Sequence, residues 1–216
     1  KVAARVMVGK TLADQGIVND LEVSGVFVKA PVFPFVRFPG ADTILGPEMK
    51  STGEVMGAAD NFGVAFAKAQ LAAGQRLPDS GRAFISVNDD DKENALVMAR
   101  DLVELGFDLV ASKGTAAYFR AHGLAVEVVY KINEGRPHVG DRLLDRELHL
   151  IINTPLGRES FFDDITMRRI AMLHGVPCIT TLTGAAATGS AIRASRNEKL
   201  SVRSLQEYHS RQPFEM

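Results

Sequence analysis

The chain holds one cysteine and no tryptophan in 216 residues. A single thiol excludes an internal disulfide framework and a cysteine-rich zinc site, and the compartment expected from it is cytoplasmic or an organelle matrix, with cytoplasmic preferred. A charge excess of either sign is lacking too: 25 Lys and Arg stand against 26 Asp and Glu, a formal net charge of -1. The balance holds along the chain, with eight basic and eight acidic residues before Gly81. Neither half is a basic arm, so electrostatic binding to nucleic acid or a membrane surface is not expected. No apolar run reaches the ~18 residues of a membrane span. No signal peptide is visible. What is present is ordinary globular composition, 46% hydrophobic and 24% charged, which argues against disorder. At roughly 150 residues per domain the length corresponds to about one and a half domains.

Two rhythms divide the chain, over 1–81 and 82–216. From Arg82 onward, apolar runs alternate with helical stretches, the pattern of an α/β domain with a parallel sheet. The expected strands are Ala83 to Val87, Phe107 to Ala111, Ala125 to Tyr130, Leu148 to Asn153 and Pro177 to Thr181. Helices are expected between them, over Asp91 to Leu105, Thr115 to His122, Val139 to Glu147 and Phe162 to His174. Glycines at 106, 123 and 175 punctuate three helix-to-strand joins, where a left-handed residue ends a helix. Five strands with right-handed crossovers make a mostly parallel, doubly wound domain. Residues 1–81 read instead as a mixed α+β piece. A helix over Lys1 to Gln15 precedes extended stretches at Gly25 to Val32 and Met49 to Met56, then an amphipathic helix from Asn61 to Ala73. A chain that opens inside a helix without an initiator Met reads as a fragment of something longer.

Ligands of an open parallel sheet bind beyond the carboxyl ends of its strands. Ser86, the Asp89-Asp90-Asp91 run and Lys92 lie at the end of the first strand, and Ser112-Lys113-Gly114-Thr115 after the second. Lys131 through His138 follow the third, Asn153 and Thr154 the fourth, and Thr180 and Thr181 the fifth. Hydroxyls, amides and lysines thus converge on one edge. A strand-to-helix turn such as Ser112–Thr115 suits an anion, because free amides and the helix dipole favour phosphate, with Lys92 or Lys131 adding donors. The alternative is that Ser112 and Thr115 merely cap the helix.

Other motifs carry less. Gly184 and Gly189 are spaced as in a Walker loop, but Ser190 stands where the phosphate-binding lysine is needed. Cys178 reads as a buried small side chain. His122 and His174 are expected at helix-end carbonyls, while His149 has no evident partner. His138 and Asp141 form either an acid–base pair or a loop contact at a helix start. The aspartate run reads as a solvated helix start, and no metal site is expected.

The run Phe33-Pro34-Phe35 to Asp42, followed by Leu45-Gly46-Pro47-Glu48-Met49-Lys50-Ser51-Thr52-Gly53-Glu54-Val55-Met56-Gly57, resembles the carbamoyl phosphate synthetase large subunit near the end of its second ATP-grasp unit. Residues 82–216 resemble that subunit's carboxyl-terminal regulatory domain, of the methylglyoxal-synthase-like fold. The marks are Asp91-Lys92-Glu93, Gly114-Thr115-Ala116, Glu134-Gly135-Arg136-Pro137-His138, Ile151-Ile152-Asn153-Thr154 and Thr180-Thr181.

The resemblance implies a piece of an ATP-dependent, glutamine-hydrolysing ligase that makes carbamoyl phosphate for pyrimidine and arginine synthesis. Its regulatory domain would bind a nucleotide monophosphate, with uridine monophosphate the usual bacterial inhibitor. Ser86, Lys92, Ser112, Thr115, Lys131, Asn153 and Thr154 match the family's nucleotide pocket, and Pro155 replaces a second threonine. Thr180 is retained from a second effector site, whereas Ala30 and Cys178 stand where ornithine-activated members carry glutamate and tyrosine. Glu54 matches a glutamate of the carbamate tunnel. No catalytic residue or cofactor is expected in this piece. The whole enzyme would use ATP, Mg and K, with the rest of the large subunit and a small glutaminase subunit as partners in an oligomer. Two other readings are a methylglyoxal synthase acting on dihydroxyacetone phosphate, with Asp141 and His138 near the reacting centre, and a non-catalytic docking module.

Overall fold

The computed structural model describes residues 1–19, 24–32, 53–154 and 158–210. The aromatic and proline-rich run after Val32, the segment up to Thr52 and Pro155 lie outside the described residues. The chain divides into two units, one formed by Lys1–Gly25 with Val202–Met216 and the other by Val26–Ser201.

The first unit is short elements without a buried side chain on its leading helix. Helix α1 (Val2–Met7) ends well before the expected Gln15. The chain leaves the helix at Val8 and turns through Gly9 at φ 92°. A separate 3-10 turn then spans Ala13–Gln15, closed by reciprocal bonds between Thr11 and Asp14. Helix α8 (Leu205–Ser210) starts after Ser204, whose backbone N–H and hydroxyl both donate to Glu207.

The second unit begins with an antiparallel pair, β1 (Val26–Val32) and β2 (Gly53–Ala59), with Val28 opposite Gly57. Helix α2 (Phe62–Ala72) follows, its first turn capped by Asn61, which accepts from the Val64 amide. Gly63 allows α2 to lie against α7 (Leu182–Asn197): a Cβ there would stand 2.7 Å from the Ser190 carbonyl oxygen.

Five parallel strands follow: β3 (Gly81–Val87), β4 (Phe107–Ala111), β5 (Val126–Val128), β6 (Leu150–Thr154) and β7 (Cys178–Ile179). They lie in the order β5-β4-β3-β6-β7. Connections run outward in opposite directions from β3 and β6, so the switch point, where such sheets open a crevice, falls between these two. Alternation decides the faces. Ala83, Ile85, Leu109, Leu150 and Ile152 pack with α3 (Lys92–Glu104), α4 (Lys113–Ala121) and α7. Phe84, Val110 and Ile151 pack on the other side with α5 (Val139–Leu144) and α6 (Arg158–Leu173). Fully buried Phe119 on α4 shows the scale of this packing. Truncating such a side chain costs about 3–5 kcal/mol.

The amino-terminal end of the sheet is tied by charge. Arg82 and Arg142 each pair with both Glu127 and Glu147. Beside them, His149 Nδ1 accepts from the Arg82 amide, the partner that sequence alone did not supply. Its ring packs on Gly81, where any Cβ would lie 2.6 Å from it.

Candidate functional site

The site lies at the carboxyl edge of β3, β4 and β6. Phe84 faces Val110 and Ile151 across the sheet, an apolar row on the α5–α6 side. Two residues further on, the same parity brings Ser86 beside Asn153, with Ser112 directly after β4. The pleat therefore caps an apolar row with a polar one. Ser86 Oγ donates to Ser112 Oγ at 3.0 Å, and Ser112 Oγ to Thr115 Oγ1 at 3.2 Å. The Val87 amide also donates to Thr115 Oγ1. These three hydroxyl residues are buried, and their mutual bonds offset the cost of desolvating them.

Ser112 occupies the N-cap of α4, yet its side chain makes no capping bond there. Its hydroxyl is engaged sideways, with Ser86 and Thr115. The amides of the first turn consequently keep their donors, and the helix dipole places partial positive charge among them. Helix α4 begins at Lys113, two residues earlier than expected, so Gly114 is part of that turn. A Cβ at Gly114 would stand 3.6 Å from Lys92 Nζ, so the ammonium hangs over the helix start.

A cleft of about 140 Å³ opens here. Ser112, Lys113, Gly114 and Thr115 form one wall, Lys92 with Asp89 a second, and Lys131 with Glu134 a third. Lys92 Nζ bonds Asp89 at 2.6 Å; the lysine side chain is 18% exposed and the aspartate 91%. That hydrogen bond, helped by the lysine charge, holds the Asp89 carboxyl below the usual range. Glu134 accepts from the Lys131 amide and closes a 3-10 turn, and both residues line the cleft.

Of the seven pocket residues expected from sequence, Lys92, Ser112, Thr115 and Lys131 line this cleft. Ser86 joins it through Ser112. Asn153 and Thr154 lie one strand further, outside the lining: Asn153 Nδ2 donates to Asp164 at 2.5 Å, and Thr154 Oγ1 accepts from Asn88 at 3.4 Å. Asp164 and its partner Arg168 (2.5 Å) are site-edge residues that the sequence reading did not select.

The remaining candidates sit elsewhere. Thr180 is exposed just beyond β7. Glu54 on β2 pairs with Lys29 at 2.6 Å, both exposed. Ala30 is buried on β1. Cys178 is half-buried on β7 rather than fully buried as expected, yet burial of its thiol still pushes it up to about 12. His138 and Asp141 cap α5 reciprocally, with Arg136 also on the carboxylate. His122 Nδ1 lies 2.8 Å from the Tyr118 carbonyl, a helix-end contact as expected. Among the described residues no cluster of His, Cys, Asp or Glu forms a metal site. No helix among them is long and apolar enough to cross a membrane.

Residues 94–180 match the model of the MGS-like domain. That match spans two fifths of the chain, whereas similarity to known proteins extends over nearly its whole length. It is 47% identical to the carbamoyl phosphate synthase large chain of Acidobacterium capsulatum, over 97% of this chain and 20% of that one. Against the same protein of Pseudomonas aeruginosa identity is 52%, over 97% and 19%; for Myxococcus xanthus it is 48%, over 96% and 19%. The chain is thus homologous to carbamoyl phosphate synthase large chains and spans about a fifth of their length. A crystal structure of methylglyoxal synthase from Elizabethkingia anophelis NUHP1 is similar at TM-score 0.40 with 15% identity, over 65% of this chain and 97% of that chain. The five-stranded parallel α/β architecture and the expected resemblance both hold.

Proposed function

We propose that this MGS-like domain binds a nucleotide monophosphate, uridine monophosphate, and thereby regulates carbamoyl phosphate synthesis by the longer protein. One observation carries the reading. The α4 amino terminus lacks a side-chain cap and faces a cleft walled by Lys92 and Lys131. Uncapped amides, a helix dipole and two ammonium groups are the requirements for a phosphate. Residues 82–216 then form the regulatory domain, and residues 1–81 the end of an ATP-grasp unit. ATP, Mg, K and glutamine chemistry would act elsewhere in the large subunit and in a glutaminase subunit. The pathways served would be pyrimidine and arginine synthesis. This chain alone binds and does not turn over.

Calorimetric titration tests the reading. Saturable binding of uridine monophosphate is expected, with Lys131→Ala weakening it roughly 10- to 150-fold, the worth of one charge-assisted hydrogen bond. Absence of binding by the unaltered chain, or an unchanged Kd in Lys131→Ala, refutes it.

A further inference from the structure

The Asn153–Asp164–Arg168 chain lies beside the phosphate cleft but outside it. Asp164 is 2% exposed. Its Oδ1 accepts from Asn153 Nδ2 and its Oδ2 from Arg168, both at 2.5 Å. A carboxylate only accepts, so the edge of the Asn153 amide facing Asp164 must be the NH2 edge. The carbonyl oxygen of that amide is therefore turned away from Asp164. Among the described residues no donor reaches it, and Asn153 as a whole is 7% exposed. Arg168 pairs with the other oxygen and keeps Asp164 charged, so a flipped amide would set its own oxygen against a buried carboxylate.

Distance then limits what meets that oxygen. Ser112, Ser86 and Asn153 sit on three neighbouring strands in the order β4-β3-β6. At 4.7–4.9 Å per strand, Asn153 is roughly 10 Å from the helix start that receives the phosphate. A bare anion does not reach so far. We propose that Asp164 is a positioning residue for ligand selection. It fixes Asn153 as a hydrogen-bond acceptor, so that the bound anion must extend beyond its phosphate and carry an N–H or O–H donor within roughly 10 Å of it. Asn153 contributes discrimination, and the lysines and α4 contribute anion affinity. The inference rests on the nucleotide-binding reading given above.

The experiment titrates the unaltered chain and Asp164→Asn with four probes: uridine monophosphate, its 2′,3′-dideoxy analogue, 3-methyluridine monophosphate and inorganic phosphate. The two analogues remove the ribose and base donors respectively. Expected for the unaltered chain is a loss of about tenfold for one analogue relative to uridine monophosphate. In Asp164→Asn the new amide can donate to Asn153 and reverse it. That gap should then close to within about threefold, while inorganic phosphate stays within about twofold. A merely structural role would weaken all four probes alike. Equal binding of both analogues and the parent, a gap that persists in Asp164→Asn, or a parallel loss for inorganic phosphate each overturns the inference. If uridine monophosphate fails to bind the unaltered chain, the functional reading falls and this inference with it.

A second measurement needs no substitution and stands if Asp164→Asn does not fold. In the ¹⁵N spectrum the Asn153 side-chain NH2 should exchange slowly with and without ligand, and should not shift on adding inorganic phosphate. A rapidly exchanging NH2, or one that shifts with phosphate, refutes the assignment.

Discussion

Lys92 separates binding from folding more cleanly than any other residue of the site. Among the described residues its ammonium is held by Asp89, which is 91% exposed. An ion pair with so exposed a member adds little to stability, since water and salt compete for both charges. The Lys92→Ala variant should therefore unfold at the same temperature as the unaltered chain. Binding should respond differently. The ammonium lies 3.6 Å from where a Gly114 Cβ would stand, over the first turn of α4. A phosphate on those amides comes within reach of it, and removing one charge-assisted bond costs roughly 10- to 150-fold in Kd. Asp89→Asn should act in the opposite sense, because a phosphate no longer displaces a carboxylate to reach the lysine. Affinity should rise about two- to fivefold at low salt. Calorimetry of the two variants with uridine monophosphate, beside thermal melts, reads both effects. Weaker binding in Asp89→Asn, or a large fall in Tm in Lys92→Ala, would refute the view of Asp89 as an exchangeable counter-ion.

Further tests reach packing and charge. Gly63→Ala places a methyl 2.7 Å from the Ser190 carbonyl and should destabilise the chain by about 1–3 kcal/mol, seen as a lower urea midpoint at unchanged slope. The Cys178 thiol, pushed up to about 12 by burial, should barely react with a thiol reagent at pH 8 until the chain is denatured. Because the folded value lies above the unfolded one, stability is complete below about pH 8.5 and falls as pH rises toward 12. A thermal-melt series over that range should show the fall, and Cys178→Ser should remove that part of it. Raising salt should weaken uridine monophosphate binding in the unaltered chain, less steeply in Lys92→Ala; equal slopes would contradict a charge contribution from that lysine.

The parts legible in the sequence are those where one physical signal acts alone. Strand β4 falls on Phe107–Ala111, as its unbroken apolar run between polar turns indicates. At the sheet edge the signal overreaches: β7 shrinks to Cys178–Ile179, since only β6 pairs with it. Helix α7 went unread because glycine, serine and threonine lower helix propensity across Thr183–Ser190. Its buried face, Ala185, Thr188, Ala191 and Ile192, nevertheless keeps helical spacing, the signal by which it could have been found. From the sequence Ser112 reads either as a helix cap or as part of an anion site. The structure shows its hydroxyl engaged with Ser86 and Thr115, leaving the amides uncapped. That distinction depends on a contact between strands, which spacing along the chain does not encode. Asp164 was invisible for a related reason. An Asp and an Arg four apart on a helix read as a surface pair, and only the packing of α6 beside β6 buries the aspartate.

Two carboxylates therefore mark the two ends of the site and differ in one property, exposure. Asp89 lies in water, so its hold on Lys92 is loose and an incoming anion can replace it. Asp164 is buried, so releasing Arg168 would strand a charge in the core at a cost of several kcal/mol. The first suits a counter-ion that is exchanged on binding, the second a fixed support. Between them the hydroxyls of Ser86, Ser112 and Thr115 satisfy one another. An empty site thus leaves no buried hydroxyl of this group unpaired. On the proposed reading, anion affinity in a chain of net charge -1 comes from this arrangement. The attraction is confined to one helix start and the lysines around it, Lys92, Lys113 and Lys131, while the two carboxylates of the cleft already have partners, Asp89 in Lys92 and Glu134 in the Lys131 amide.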